Sequence, residues 1–119
     1  MNWGNLTDNS QLDQISSESQ HYPILIFKHS TSCSISSMAK LRLESSWNLD
    51  QVKTYFLDLL SFRSLSNAIA EKFDVHHESP QVILIYKGEC IYDASHFDIS
   101  LVEIRETLDY HKIPFKTIV

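Results

Sequence analysis

Glycine and cysteine are scarce in this chain of 119 residues, with two of each. Having only Gly4 and Gly88, it cannot build the glycine-rich cradle that holds phosphates in the Walker or dinucleotide-binding motifs. Two cysteines, Cys33 and Cys90, are too few for a disulfide framework, and in a reducing compartment both stay thiols unless one is catalytic. No apolar run approaches the ~20 residues of a membrane span. The first twenty residues are polar and acidic, with neither a basic leader nor an apolar signal core, so a cytoplasmic location without membrane contact is expected. Net positive charge is also lacking. At −5, with ten scattered Lys and Arg, the chain would repel a phosphate backbone, and no nucleic-acid partner is expected. Repeats and Pro-rich or charged linkers are missing too, so residues 1–119 read as one domain whose 43% hydrophobic content suffices for a core.

What is present is a regular alternation of elements. Residues 9–19 carry Leu12 and Ile15 at helical spacing and read as a short amphipathic helix at the domain edge. Ile24-Leu25-Ile26-Phe27, opened by Pro23, is a continuous apolar run of the kind found in a central strand buried on both faces. A polar turn, Ser30-Thr31-Ser32, leads to Ile35, Met38, Ala39 and Leu43, which keep approximate helical spacing although Arg42 falls near the middle of their face. Val52 to Leu57 reads as a second strand, and Phe62, Leu65, Ile69 and Phe73 as a helical stripe. Gln81 to Tyr86 and Cys90 to Ala94 form a hairpin around Gly88-Glu89. Ser100 with Glu103 is a capping-box pattern opening a last helix that ends near His111.

Within this order Cys33 falls at a loop-to-helix junction. There the unpaired N–H groups and the positive end of the helix dipole favour the thiolate, which is the nucleophile. Ser36 lies one turn further along the same face, where its hydroxyl would donate a hydrogen bond to the Cys33 sulfur, and it cannot form a disulfide. Cys90 sits beyond a strand that travels on the order of 25 Å from Pro80, whereas a disulfide needs Cα atoms within ~7 Å, so it reads as a core thiol. His76, His77 and His96 invite a metal site, but adjacent histidines project in different directions and no metal-binding spacing accompanies them, so no metal is expected. His77 and His96 read equally as rim residues of the site or as solvated loop residues. Lys28 and Lys40 would attract an anionic thiol, with solvated surface charge as the ordinary reading. The serines around Cys33 lack the Gly-x-Ser-x-Gly elbow of a hydrolase.

Several stretches carry a resemblance. Phe27-Lys28-His29-Ser30-Thr31, Cys33-Ser34-Ile35-Ser36-Ser37-Met38-Ala39, His77-Glu78-Ser79-Pro80-Gln81 and Ala94-Ser95-His96 are similar to the YtxJ family of bacillithiol-system redox-active proteins, within the thioredoxin-like superfamily. The resemblance implies an α/β thioredoxin-like fold: a central mixed four-stranded sheet flanked by helices, preceded by an extra N-terminal helix. It places Cys33 at the attacking cysteine and Ser36 where dithiol relatives keep the resolving one, so an adduct on Cys33 waits for an external thiol. It further implies a cis Ser79–Pro80 bond, with Ser79 and Pro80, and the loop serines Ser32 and Ser34, in substrate binding. The implied activity is monothiol exchange, removing bacillithiol or a similar low-molecular-weight thiol from thiolated client proteins. Two departures stand out: Phe27 occupies the place of the buried acid of thioredoxins, and Ser32 stands where some relatives carry Arg. The rival functions are an iron–sulfur cluster carrier of monothiol-glutaredoxin type, in which Ser34-Ile35 would replace Gly-Phe, and a non-enzymatic binding module.

Overall fold

The run that opens at Ile24 becomes the middle of a mixed sheet. In the computed structural model, which describes residues 1–113, β2 (Ile24–His29) pairs in parallel with β3 (Lys53–Asp58) and antiparallel with β4 (Gln81–Tyr86). All six residues of β2 are buried. Each buried apolar side chain contributes about 1.5–3 kcal/mol. Helices cover both faces. Ile24 and Ile26 pack with Leu12 and Ile15 of α1 (Ser10–Glu18) and Leu65 and Ile69 of α3 (Arg63–Lys72). Leu25 and Phe27 pack with Ala39 and Leu43 of α2 (Ser34–Ser46) and Ile104 and Leu108 of α4 (Leu101–Tyr110). None of the described helices is long and apolar enough to cross a membrane.

The sheet has five strands where four are expected, in the order β1-β3-β2-β4-β5. The extra strand, β1 (Gly4–Asn5), has two residues and pairs in parallel with Tyr55 and Phe56 of β3. So short a strand carries no apolar alternation. Its one sequence trace is Gly4, where a Cβ would come within 3.1 Å of the Tyr55 ring.

Two further details depart from the sequence reading. Met38 is 57% exposed, and the inward positions of α2 are Ser36, Ala39 and Leu43. A serine takes the place given to Met38 because its hydroxyl finds partners inside, as described below. Arg42, close to that stripe, is exposed and reaches the carbonyl of Ile99 at 3.2 Å. The hairpin turn is Lys87-Gly88 rather than Gly88-Glu89, since φ is +56° and +80° at these two positions, the pair of positive values that a two-residue hairpin loop with native twist requires. β5 accordingly spans Glu89–Ser95. At α4 only half of the capping box forms. Ser100 Oγ accepts the Glu103 N–H at 3.3 Å, while the Glu103 carboxylate accepts from the Tyr92 hydroxyl instead.

Candidate active site

Cys33 is the N-cap of α2. Its backbone is extended (φ −110°, ψ 120°), its N–H donates to the Ser30 carbonyl at 3.1 Å, and its own carbonyl accepts the Ser37 N–H at 3.2 Å, the first bond of the helix. The thiol is half-buried and free. Ser32 and Ser34 flank it on exposed backbone, with Ser32 Oγ 3.2 Å from Ser30 Oγ.

Ser36 does not take the position the spacing suggested. It is fully buried, its Oγ accepts the Ser30 N–H at 3.1 Å, and it lies 2.6 Å from His29 Nδ1. The hydroxyl that was to meet the Cys33 sulfur is therefore engaged by the end of β2. His29 is 6% exposed and packs beside the rings of Phe27 and Phe56. Burial and the Lys40 ammonium hold it below the ordinary histidine range, against the pull of Asp58 and Glu44. Lys40 is itself paired with Glu44 at 3.1 Å, so its charge is not left free for an anion.

On the opposite face of β2, Lys28 has no exposed surface at all. The reading of it as a solvated charge is overturned: β2 continues two residues past its apolar run, and alternation carries the side chain inward beneath α3. Its Nζ donates to the Ser66 carbonyl at 3.1 Å and to His77 Nδ1 at 3.2 Å. Burial lowers its pKa to about 8. His77 Nδ1 also lies 3.2 Å from the Ser66 hydroxyl. An ammonium only donates, so Nδ1 must be the acceptor and the imidazole neutral, with its proton on Nε2. Burial and Lys28 both hold His77 below its usual range. His77 is thus an inward-facing member of this cluster. His96 is exposed and reaches Glu78 at 3.8 Å.

Ser79–Pro80 is cis. Pro80 directly precedes Gln81, which pairs with Lys28 across β2 and β4, so this bond lies at the end of the sheet from which the Cys33 loop departs. The Pro80 carbonyl accepts the His96 N–H at 3.0 Å. Ser79 Oγ is buried and has no hydrogen-bond partner among the described residues. Cys90 stands at the other end: it pairs with Ile85, which faces Ile24 at the start of β2. Its thiol contacts the Tyr92 carbonyl, and burial pushes its pKa up to about 11. A groove of about 820 Å³ bordered by Pro23, Trp47, Gln51 and Tyr86 also lies at that far end.

Sequence reasoning passed over His29 and Gln81 as site residues and left Lys28 outside. The available signal was the uninterrupted β2 run, which implied that its last residues are covered on both faces as well.

The chain resembles solved proteins over most of its length. One, whose description proposes an oxidoreductase with a thioredoxin fold, is 29% identical and matches with a TM-score of 0.76 over 87% of this chain and 90% of its own. Thioredoxin f2 of Chlamydomonas reinhardtii matches at 12% identity and TM-score 0.70, over 95% of this chain and 99% of its own. Fasciola hepatica thioredoxin matches at 18% and 0.67, over 90% and 97%. The latter two establish the fold. The model of the monothiol bacilliredoxin family BrxC matches residues 4–104. The chain belongs to the monothiol bacilliredoxin family, and it is a thiol redox protein on a thioredoxin fold.

Proposed function

We propose that this protein removes a low-molecular-weight thiol, bacillithiol, from client proteins by exchange at Cys33. The Cys33 thiolate attacks the bacillithiol sulfur of a client mixed disulfide. One S–S bond breaks as another forms, the client cysteine leaves as a thiolate and takes a proton from solvent, and Cys33 retains the small thiol. A second thiolate from solution then attacks that adduct and releases Cys33. The number of disulfides is conserved in each step, so no further oxidant is needed.

One observation carries this reading: Cys33 caps a helix with no second thiol near it. Ser36 fills the resolving position and is buried on His29, and Cys90 lies at the opposite end of the sheet. In this reading Ser32 and Ser34 border the approach to Cys33, and the backbone at Ser79 and Pro80 receives the client segment as an added edge. The partners are thiolated proteins and the small thiol, in a reducing cytoplasm. In this reading Ser36 holds the Ser30 N–H, and with it the start of the loop that carries Cys33.

The test is transfer from a bacillithiolated protein, followed by mass spectrometry. Cys33→Ser is expected to abolish transfer and Cys90→Ser to keep it, with the adduct mass on the peptide containing Cys33. Transfer that survives Cys33→Ser would overturn the assignment.

A further inference from the structure

Lys28 is a fully buried ammonium, and its hydrogen-bond partners are a helix carbonyl and a neutral imidazole, not a carboxylate. Burying such a charge is costly, and a hydrophobic side chain of similar length would fill the same space without that cost. Stability therefore does not account for a lysine here.

Its surroundings do. Three inward polar side chains from three elements converge on one short segment, residues 76–79. Lys28 of β2 and Ser66 of α3 hold the ring of His77. Gln81 of β4, also buried, donates from Nε2 to the His76 carbonyl at 2.9 Å and accepts the Glu78 N–H at its Oε1 at 3.4 Å. The segment is thus gripped through the ring of one residue and the backbone of its two neighbours, immediately ahead of Ser79 and Pro80. Lys28 and Gln81 are register partners across β2 and β4, so both grips are anchored at one point of the sheet.

We propose that Lys28 is a positioning residue: through His77 it fixes the 76–79 segment in the geometry in which the Ser79 backbone receives the client. The inference rests on the exchange function proposed above and adds the device that sets its binding edge. The ammonium form holds better: the neutral amine keeps two N–H groups, but the charge-assisted bonds to Nδ1 of His77 and the Ser66 carbonyl are roughly twice as strong as neutral ones. A pKa held near 8 by burial places the loss of that form just above neutrality. The other charged groups around the cluster are Arg63 at the start of α3 and His76 and Glu78 in the segment itself.

Two measurements test this. The first is amide hydrogen exchange at Glu78, which needs no turnover. Lys28→Met and His77→Phe should each speed exchange by about tenfold, the weight of one charge-assisted hydrogen bond, and the double variant should do no more than either alone. The second is the kinetics of transfer from a bacillithiolated peptide. Lys28→Met should raise KM by a similar factor with kcat little changed. The wild-type KM should climb above pH 8, while that of the variant stays level. Circular dichroism confirms that each variant is folded. Exchange rates equal to wild type, or additive effects in the double variant, would overturn the proposal. If transfer proves independent of Cys33, the reaction assigned to this protein fails, yet the exchange result still decides whether Lys28 holds the segment.

Discussion

Replacing Lys28 by methionine separates the charge from the stem, because methionine keeps the aliphatic length and removes only the ammonium. Burial lowers the lysine pKa from 10.5 to about 8 in the folded chain, and at 1.36 kcal/mol per unit this is a penalty of about 3 kcal/mol on the charged form. The sign follows from proton counting. Between these two values the unfolded chain still holds the proton that the folded chain has released, so stability contributed by this site rises with pH. Below about 8 the penalty is present in full; above 10.5 it is gone. Other groups work in the opposite direction. The Cys90 thiol, pushed up to about 11, and Tyr55, also raised by burial, lose stability as pH rises through the alkaline range, so the wild-type curve alone is a mixture. The difference between wild type and Lys28→Met cancels them. Urea unfolding of both proteins near pH 7.5 and pH 9.5 should show that difference moving by about 2 kcal/mol in favour of wild type at the higher pH. A difference that stays constant would mean that the ammonium is hydrated in solution, and would refute the burial on which the reasoning stands.

Two other substitutions test the local structure around the sheet. Ser100→Ala removes the oxygen that accepts the Glu103 N–H at the start of α4. With the Glu103 carboxylate committed to Tyr92, a loss of about 1 kcal/mol in urea unfolding is expected, and no loss would show that the cap is not formed. Gly88→Ala forces a Cβ onto a residue with φ of +80°, so the melting temperature should fall by about 4 °C, corresponding to ~1 kcal/mol. The Gln20 side chain, 3.3 Å from that Cβ, is free to move aside, which leaves backbone strain as the source of the effect. An unchanged melting temperature would argue against the primed turn.

The identity and order of the long elements were legible because they depend on local periodicity. Ile24 to Phe27 read as a central strand, Leu65 and Ile69 as part of a helical stripe, and the break at Ser30 to Ser32 ahead of a helical pattern put Cys33 at a helix start. The position of Cys90 followed in the same way, from the rise of one strand. The sequence by itself thus determined the α/β architecture, the helix that Cys33 caps and the end of the sheet from which it departs.

Tertiary structure decided the polar interior. A buried lysine or serine carries no periodic signal, since its burial depends on partners supplied from elsewhere in the chain. Lys28 meets groups 38 and 49 residues away, and the inward turn of Ser36 depends on His29 arriving from the end of β2. The two-residue strand β1 was hidden for a related reason: it is held through backbone pairing with β3, which leaves no side-chain pattern. Local pattern fixed where the candidate nucleophile stands, and only distant contacts fixed what lies beneath it.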